Sequence, residues 1–443
     1  MSLTIGLLDA PVGDVVTSRA AALGFALALA PLTAEAQALQ KVCLHYDLGP
    51  VYLDASPRAD PCPMNNCPVV GVPGPNQPNQ SACCDQFETF GRRDEALGWA
   101  TQRLIVRVRG AGGGEILWGW RPLDQFGCTD LMDTALTTFD VDYLPWSYWS
   151  ARDASVVGLD CDSALVPQRC SFGPMTLAGL AFDGSGTTHV TVTDPDGDGP
   201  ALAVNSLVWA ASFAEERLPL WSRIITYLVA TNTGRTVTNN LVGGQPTASF
   251  NRTYREKFTV THEYGHAQTI FHPILSMGEM FDGSEIDYTF MAATSQHTQT
   301  SVDWQSAAAA EGFGHYYNLL AWWDASAPAS KILIPGLTPE LIRSLADTDL
   351  VRIIDPLCLP FGLPACPPGV ANETDWMAAL WHTSLGGASP LDVLRMLGAA
   401  FPWPVSGESD AYWLNFTEMS SDVLPPDQFA LFLQVANQAG IDR

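Results

Sequence analysis

Lysine is nearly missing from this chain. It occurs three times in 443 residues, at Lys41, Lys257 and Lys331, and basic residues number 22 against 47 acidic ones. The resulting net charge of −25 argues against a nucleic-acid partner, which requires a basic footprint. The acidity itself reads as a solubility feature. Charge of either sign is scarce, at 16%, while 47% of residues are apolar. That balance belongs to a folded globular chain and excludes general disorder. Long apolar runs are missing too. The run Ala20–Leu32 is too short to span a bilayer, and no internal repeat is visible.

What is present at the N-terminus resembles an export signal. Arg19 precedes the apolar run, and the small-residue patterns Ala34-Glu35-Ala36 and Ala36-Gln37-Ala38 follow it. We therefore expect residues 1–38 to be a signal peptide and the mature chain to be secreted, with no membrane partner once the signal is removed. Ten cysteines, an even number, agree with an oxidising compartment and disulfides. Cys161 with Cys170, and Cys358 with Cys366, are the expected local bridges. The pairing of Cys43, Cys62, Cys67, Cys83, Cys84 and Cys128 is not deducible from spacing.

The hydrophobic period divides the rest. Up to about residue 85 the chain is rich in Pro, Asn and Cys and reads as a stapled irregular segment. From about Ala100 the period is two: "RLIVRVRG", "EILWGWRPL", "TALTTFDVDYLPW" and "GTTHVTVTD" read as strands. The stretch "RLIVRVRGAGGGEILWGWRPLDQFGCTD" resembles transthyretin-like β-sandwich modules. "DPDGDGP" closes this region. Asp194, Asp196 and Asp198 could clasp a Ca2+ ion, or serve an acidic turn. Beyond residue 200 the period turns helical. "ALAVNSLVWAASFAEERLPLWSRIITYLV" reads as one or two helices, "TVTNNLVGGQPTASFN" as a loop or edge strand, and several helices follow. The expected fold class is α+β. A disulfide-stapled antiparallel β-sandwich region over 39–200 precedes a mostly helical domain over 201–443.

Three of the eight histidines fall in "VTHEYGHAQTIFH". His262 and His266 are one helical turn apart on one face, the spacing at which two imidazoles bind one metal ion. Glu263 is offset from that face and suits a general base acting on water activated by zinc. Two third ligands compete. His272 stands at the last position of an H-E-x-x-H-x-x-G-x-x-H pattern, but Thr269 occupies the glycine position, where a β-branched residue turns poorly. On a continuous helix His272 is about 1000° round from His262 and well off the ligand face. The other candidate is Glu311 in "AAAAEGFGHYYN", with Gly312 and Gly314 permitting close packing.

"HEYGHA" followed by "EGFGHYY" resembles the gluzincin metallopeptidases, secreted bacterial forms above all. The resemblance implies His262, His266 and Glu311 as zinc ligands, Glu263 as the base, and a peptide or protein as substrate. Where many gluzincins carry an Asp four residues after the ligand glutamate, this chain has His315. It shares the face of Glu311, as a support for His262 or as an oxyanion donor. Tyr264, Tyr316, Tyr317 and His382 are further oxyanion candidates, each also explicable as core packing. The alternative reading, from a different class, is a non-catalytic extracellular binding or adhesion protein on a zincin scaffold.

Overall fold

A computed structural model describes residues 38–46, 93–94, 98–149, 154–161, 170–171, 174–192, 200–217, 225–231, 237–242, 245–251, 257–270, 303–322, 370–400 and 411–441. Residues 1–37 of the expected signal peptide, Asp194, Asp196, Asp198, His272 and the Cys358 and Cys366 pair lie outside these residues.

The strands of the first half are β1 (Ala38–Tyr46), β2 (Arg93–Asp94), β3 (Gly98–Ala100), β4 (Leu104–Gly110), β5 (Ile116–Pro122), β6 (Met132–Thr134), β7 (Thr138–Trp149), β8 (Ala154–Cys161), β9 (Cys170–Ser171), β10 (Met175–Ala181) and β11 (Thr187–Val192). Helix α1 (Pro200–Arg217) and strands β12 (Ile225–Thr231), β13 (Val237–Val242) and β14 (Gln245–Asn251) come next. They lead to α2 (Lys257–Ile270), β15 (Asp303–Trp304), α3 (Gln305–Trp322), β16 (Val370–Ala371), α4 (Glu373–Leu385), α5 (Pro390–Ala400), α6 (Ala411–Ser421) and α7 (Pro426–Ala439). The chain is α+β.

Alternation governs the sheets. On β4, Leu104, Val106 and Val108 are buried in the core, while Arg107 and Arg109 face the other way. Their register partners on β7 are Asp142 and Asp140, so charge meets charge across the strands. Arg107 and Arg109 both donate to the Asp142 carboxylate, Arg109 at 2.7 and 2.8 Å, and Thr176 donates to it at 2.7 Å. Burial opposes ionisation of Asp142, but the hydrogen bonds from Arg109, Thr176 and Arg107 prevail and hold its carboxyl down at about 2.

One sheet of nine strands runs β13–β14–β12–β8–β7–β4–β5, with β9 beside β8 and β10 beside β7. It draws strands from both sides of residue 200. A five-stranded sheet runs β11–β1–β3–β2, with β6 also on β1. A disulfide joins Cys43 on β1 to Cys128. Cys161 is also disulfide-bonded and lies opposite Cys170 in the β8–β9 pair.

One expectation fails at β12. The helical reading of this stretch holds for α1 but not for Ile225–Thr231, which pairs in parallel with both β8 and β14. Its Ile, Thr, Tyr and Val content favours a strand. A parallel strand covered on both faces reads as a continuous apolar run, which periodicity cannot separate from a buried helix. Helix α1 covers this part of the sheet. A Cβ on Gly158 of β8 would stand 2.3 Å from Val204 and 2.8 Å from Val208, so the helix lies directly on the strand. Trp146 on β7 is 37% exposed.

The C-terminal helices were unevenly legible. Helix α7 starts with Pro426 in its first turn and ends at Gly440, whose φ of 77° closes the helix. Helices α4 and α6 had no sequence-based expectation. Helix α4 is capped by the Asn372 side chain, which accepts from the Thr374 backbone N–H at 2.9 Å. Gln305 ties the start of α3 to this layer. It accepts from the Trp376 indole at 2.8 Å and donates to the Ile441 carbonyl at 2.8 Å. The rings of Trp376, Trp413, Phe416 and Phe432 pack edge-on or tilted between α4, α6 and α7.

Candidate metal centre

Helix α2 follows the edge hairpin β13–β14 and packs on β14, α1 and α3. Its described residues run from Lys257 to Ile270. Contact with α3 is close because glycines meet. A Cβ on Gly265 would lie 3.0 Å from the Tyr317 Cβ and 3.3 Å from the Gly314 Cα. A Cβ on Gly314 would lie 2.7 Å from both Cε1 and Nδ1 of His262. The ring of His262 therefore occupies the space that any other residue at 314 would fill.

This packing brings His262, His266 and Glu311 together. Nε2 of His262 is 3.0 Å from Oε2 of Glu311 and 2.9 Å from Nε2 of His266, and that second nitrogen is 3.1 Å from the same oxygen. Each of the two histidines is 13% exposed and Glu311 is 7% exposed, so the cluster has a narrow access to solvent.

Hydrogen bonds alone do not account for this triangle. A ring nitrogen that carries a hydrogen has no in-plane lone pair left to accept with. The contact between the two nitrogens needs one proton, and the two contacts to the carboxylate need one on each nitrogen. With Glu311 ionised, no placement of protons gives each of the three edges its own hydrogen bond, whereas one cation held by all three atoms would account for them together. Tetrahedral zinc at about 2.0–2.1 Å from each ligand sets ligand atoms roughly 3.3 Å apart. The observed edges are within a few tenths of an ångström of that. Two imidazole nitrogens and a carboxylate oxygen are also the donor types zinc favours.

The protonation state agrees with ligation. Burial, then repulsion from His315 and His266, holds His262 down at about 3 against the opposing pull of Glu311. It is neutral near pH 7, the form that ligates.

Glu263 is half-buried on α2, one residue on from His262 and so about 100° round the helix. His315 lies one turn beyond Glu311 on α3, with its ring centroid 4.4 Å from that of His262. Its Nε2 is 3.2 Å from Oε1 of Glu373 on α4. Glu373 is the neighbour that sequence reasoning missed. It sits in the first turn of α4, after the Asn372 cap, and nothing local to it announces a contact with His315.

The remaining oxyanion candidates are otherwise placed. Tyr264 donates its hydroxyl to Glu215 of α1 at 2.8 Å. The Tyr316 hydroxyl shares a 2.5 Å hydrogen bond with Ser384, and burial raises its pKa. Tyr317 is buried, and its ring meets that of Tyr264 edge-on at 6.0 Å. His382 is half-buried in the last turn of α4.

Among the described residues, no helix is long and apolar enough to cross a membrane. No family model matches this chain, and no curated protein matches it.

Proposed function

We propose that this chain is a secreted zinc-dependent metallopeptidase of gluzincin type. The observation that carries the reading is the triangle of His262, His266 and Glu311, with edges of 2.9 to 3.1 Å. The resemblance of "HEYGHA" and "EGFGHYY" to that family supports it. The Cys43–Cys128 disulfide fits an oxidising compartment.

When bound, the ion supplies a Lewis acid that acidifies water and polarises a carbonyl. The chain's own residues do the rest. His262 and His266 present neutral nitrogens, and Glu311 adds the negative charge that makes the site selective for a cation. The Glu263 carboxylate takes the proton of the attacking water and returns it to the leaving amine nitrogen. In the layout we propose, a β-sandwich region over 39–200 shares its sheet with the catalytic region over 201–443.

The test is Glu263→Gln beside His266→Ala, assayed on a broad peptide library with a chelator control. Glu263→Gln is expected to retain one zinc per chain while turnover falls by about 10²–10⁴-fold. His266→Ala is expected to lose the zinc. Full turnover in Glu263→Gln would remove the base from the mechanism, and no peptide turnover in the parent chain would remove the peptidase.

A further inference from the structure

His315 and Glu373 form part of the wall behind the triad. They are 5% and 1% exposed, and Nε2 of His315 is 3.2 Å from Oε1 of Glu373. On the other side, the His315 ring leans against His262 at 4.4 Å between centroids, tilted by 47°. Nδ1 of His262 and Nδ1 of His315 are both buried, and neither makes a hydrogen bond. Two such atoms on adjoining rings need an explanation, because buried polar atoms are nearly always satisfied.

Tautomer logic makes the two atoms complementary. An ionised Glu373 only accepts, so the hydrogen of a neutral His315 sits on Nε2, and its Nδ1 is left as an acceptor. Nε2 of His262 points into the triad with its lone pair, so a neutral His262 carries its hydrogen on Nδ1 and is a donor there. One ring offers a hydrogen, and the ring against it offers a lone pair.

We propose that His315 and Glu373 are positioning residues for His262. Glu373 fixes the tautomer of His315, and Nδ1 of His315 accepts the Nδ1–H of His262 when the triad holds its ion. The support thus runs from carboxylate through one imidazole to the next, and it holds the His262 ring so that its Nε2 meets the ion. This rests on the reading of the triad as a metal site. The pair is built into the fold by two features. The Asn372 cap starts α4 at Glu373, and Gly312 of α3 lets α4 dock closely, since a Cβ there would lie 2.7 Å from the Glu373 carbonyl oxygen.

Zinc affinity tests it, measured on the full chain by competition with a chromogenic chelator. The visible spectrum of the Co2+-loaded protein reads ligand geometry independently of turnover. His315→Phe keeps a ring but removes the acceptor and should weaken zinc binding by about 10–100-fold, the usual effect of losing such a support. His315→Asn carries an amide group where Nδ1 stood and should restore most of the affinity and the parent Co2+ spectrum. His315→Gln places its amide where Nε2 stood and should bind as weakly as the Phe variant.

A purely structural role would shift melting temperature without separating Asn from Gln. Equal zinc affinity in Asn and Gln, or a folded Phe variant that binds like the parent, overturns the proposal. Should the Phe variant not fold, the comparison of Asn with Gln decides alone. If the parent chain binds no zinc, the reading of the triad fails, and this inference fails with it. Tight zinc in the parent with no effect of residue 315 sinks only the inference.

Discussion

Replacing Gly314 by alanine tests whether the packing of α2 on α3 creates the candidate metal centre. In an ordinary helix interior this change stabilises by about 1 kcal/mol, because alanine loses less backbone entropy than glycine. Here the new Cβ would stand 2.7 Å from Cε1 and Nδ1 of His262 and 3.1 Å from its Cγ. Carbon atoms in contact normally sit about 3.5–4.0 Å apart, so the ring must retreat by roughly 1 Å. Contact at Cγ means that a ring flip does not relieve the clash. Overpacking of this kind costs about 1–3 kcal/mol, which cancels or reverses the helical gain. The metal centre should suffer more than the fold, because ligand distances tolerate only about 0.2 Å. Loss of one good ligand bond of three should lower zinc affinity by two orders of magnitude or more. The assay pairs chelator competition with chemical denaturation. Gly312→Ala serves as the contrast in stability, since the nearest atoms to its Cβ would be the Trp376 Cβ at 2.5 Å and the α4 backbone at 2.7 and 3.0 Å. It should cost more stability than Gly314→Ala. A Gly314→Ala protein that is more stable than the parent and binds zinc as tightly would refute the reasoning.

Three other outcomes follow from the geometry. Asp142, held at about 2 instead of its ordinary 3.8, adds stability that is full above about pH 4 and is lost as the pH falls towards 2. Asp142→Asn should flatten that acid limb in a pH series of melts and, by leaving Arg107 and Arg109 without their shared carboxylate, cost about 3 kcal/mol at neutral pH. Asn372→Ala should cost about 1 kcal/mol through the lost α4 cap, seen as a lower denaturation midpoint, with no change if the cap is unimportant. Tyr264→Phe removes the hydroxyl that donates to the fully buried Glu215. It should destabilise by about 1–3 kcal/mol, and a neutral result would show that other neighbours satisfy that carboxylate.

Local pattern was sufficient for much of this protein. Alternation over "RLIVRVRG" is β4, the H-E-x-x-H spacing falls on a helix, and the Ala-rich run before Glu311 is α3. Pro426 and Gly440 mark the two ends of α7. These features are legible because each depends on residues within one or two turns of one another. Reading failed where burial on both faces erased the period, as at β12. It failed as well at α4, whose helical character rests on a cap and on packing against α3.

Sequence by itself marked His262, His266 and Glu311 as candidate ligands and placed them on helices. Only the tertiary structure decided that atoms 49 residues apart, on His262 and Glu311, come within 3.0 Å. It alone brought Glu373 to His315 across 58 residues and joined Cys43 to Cys128 across 85. Such meetings depend on how closely two helices or strands approach. Here that approach is set by glycines whose neighbours lie far along the chain, and no local period records it.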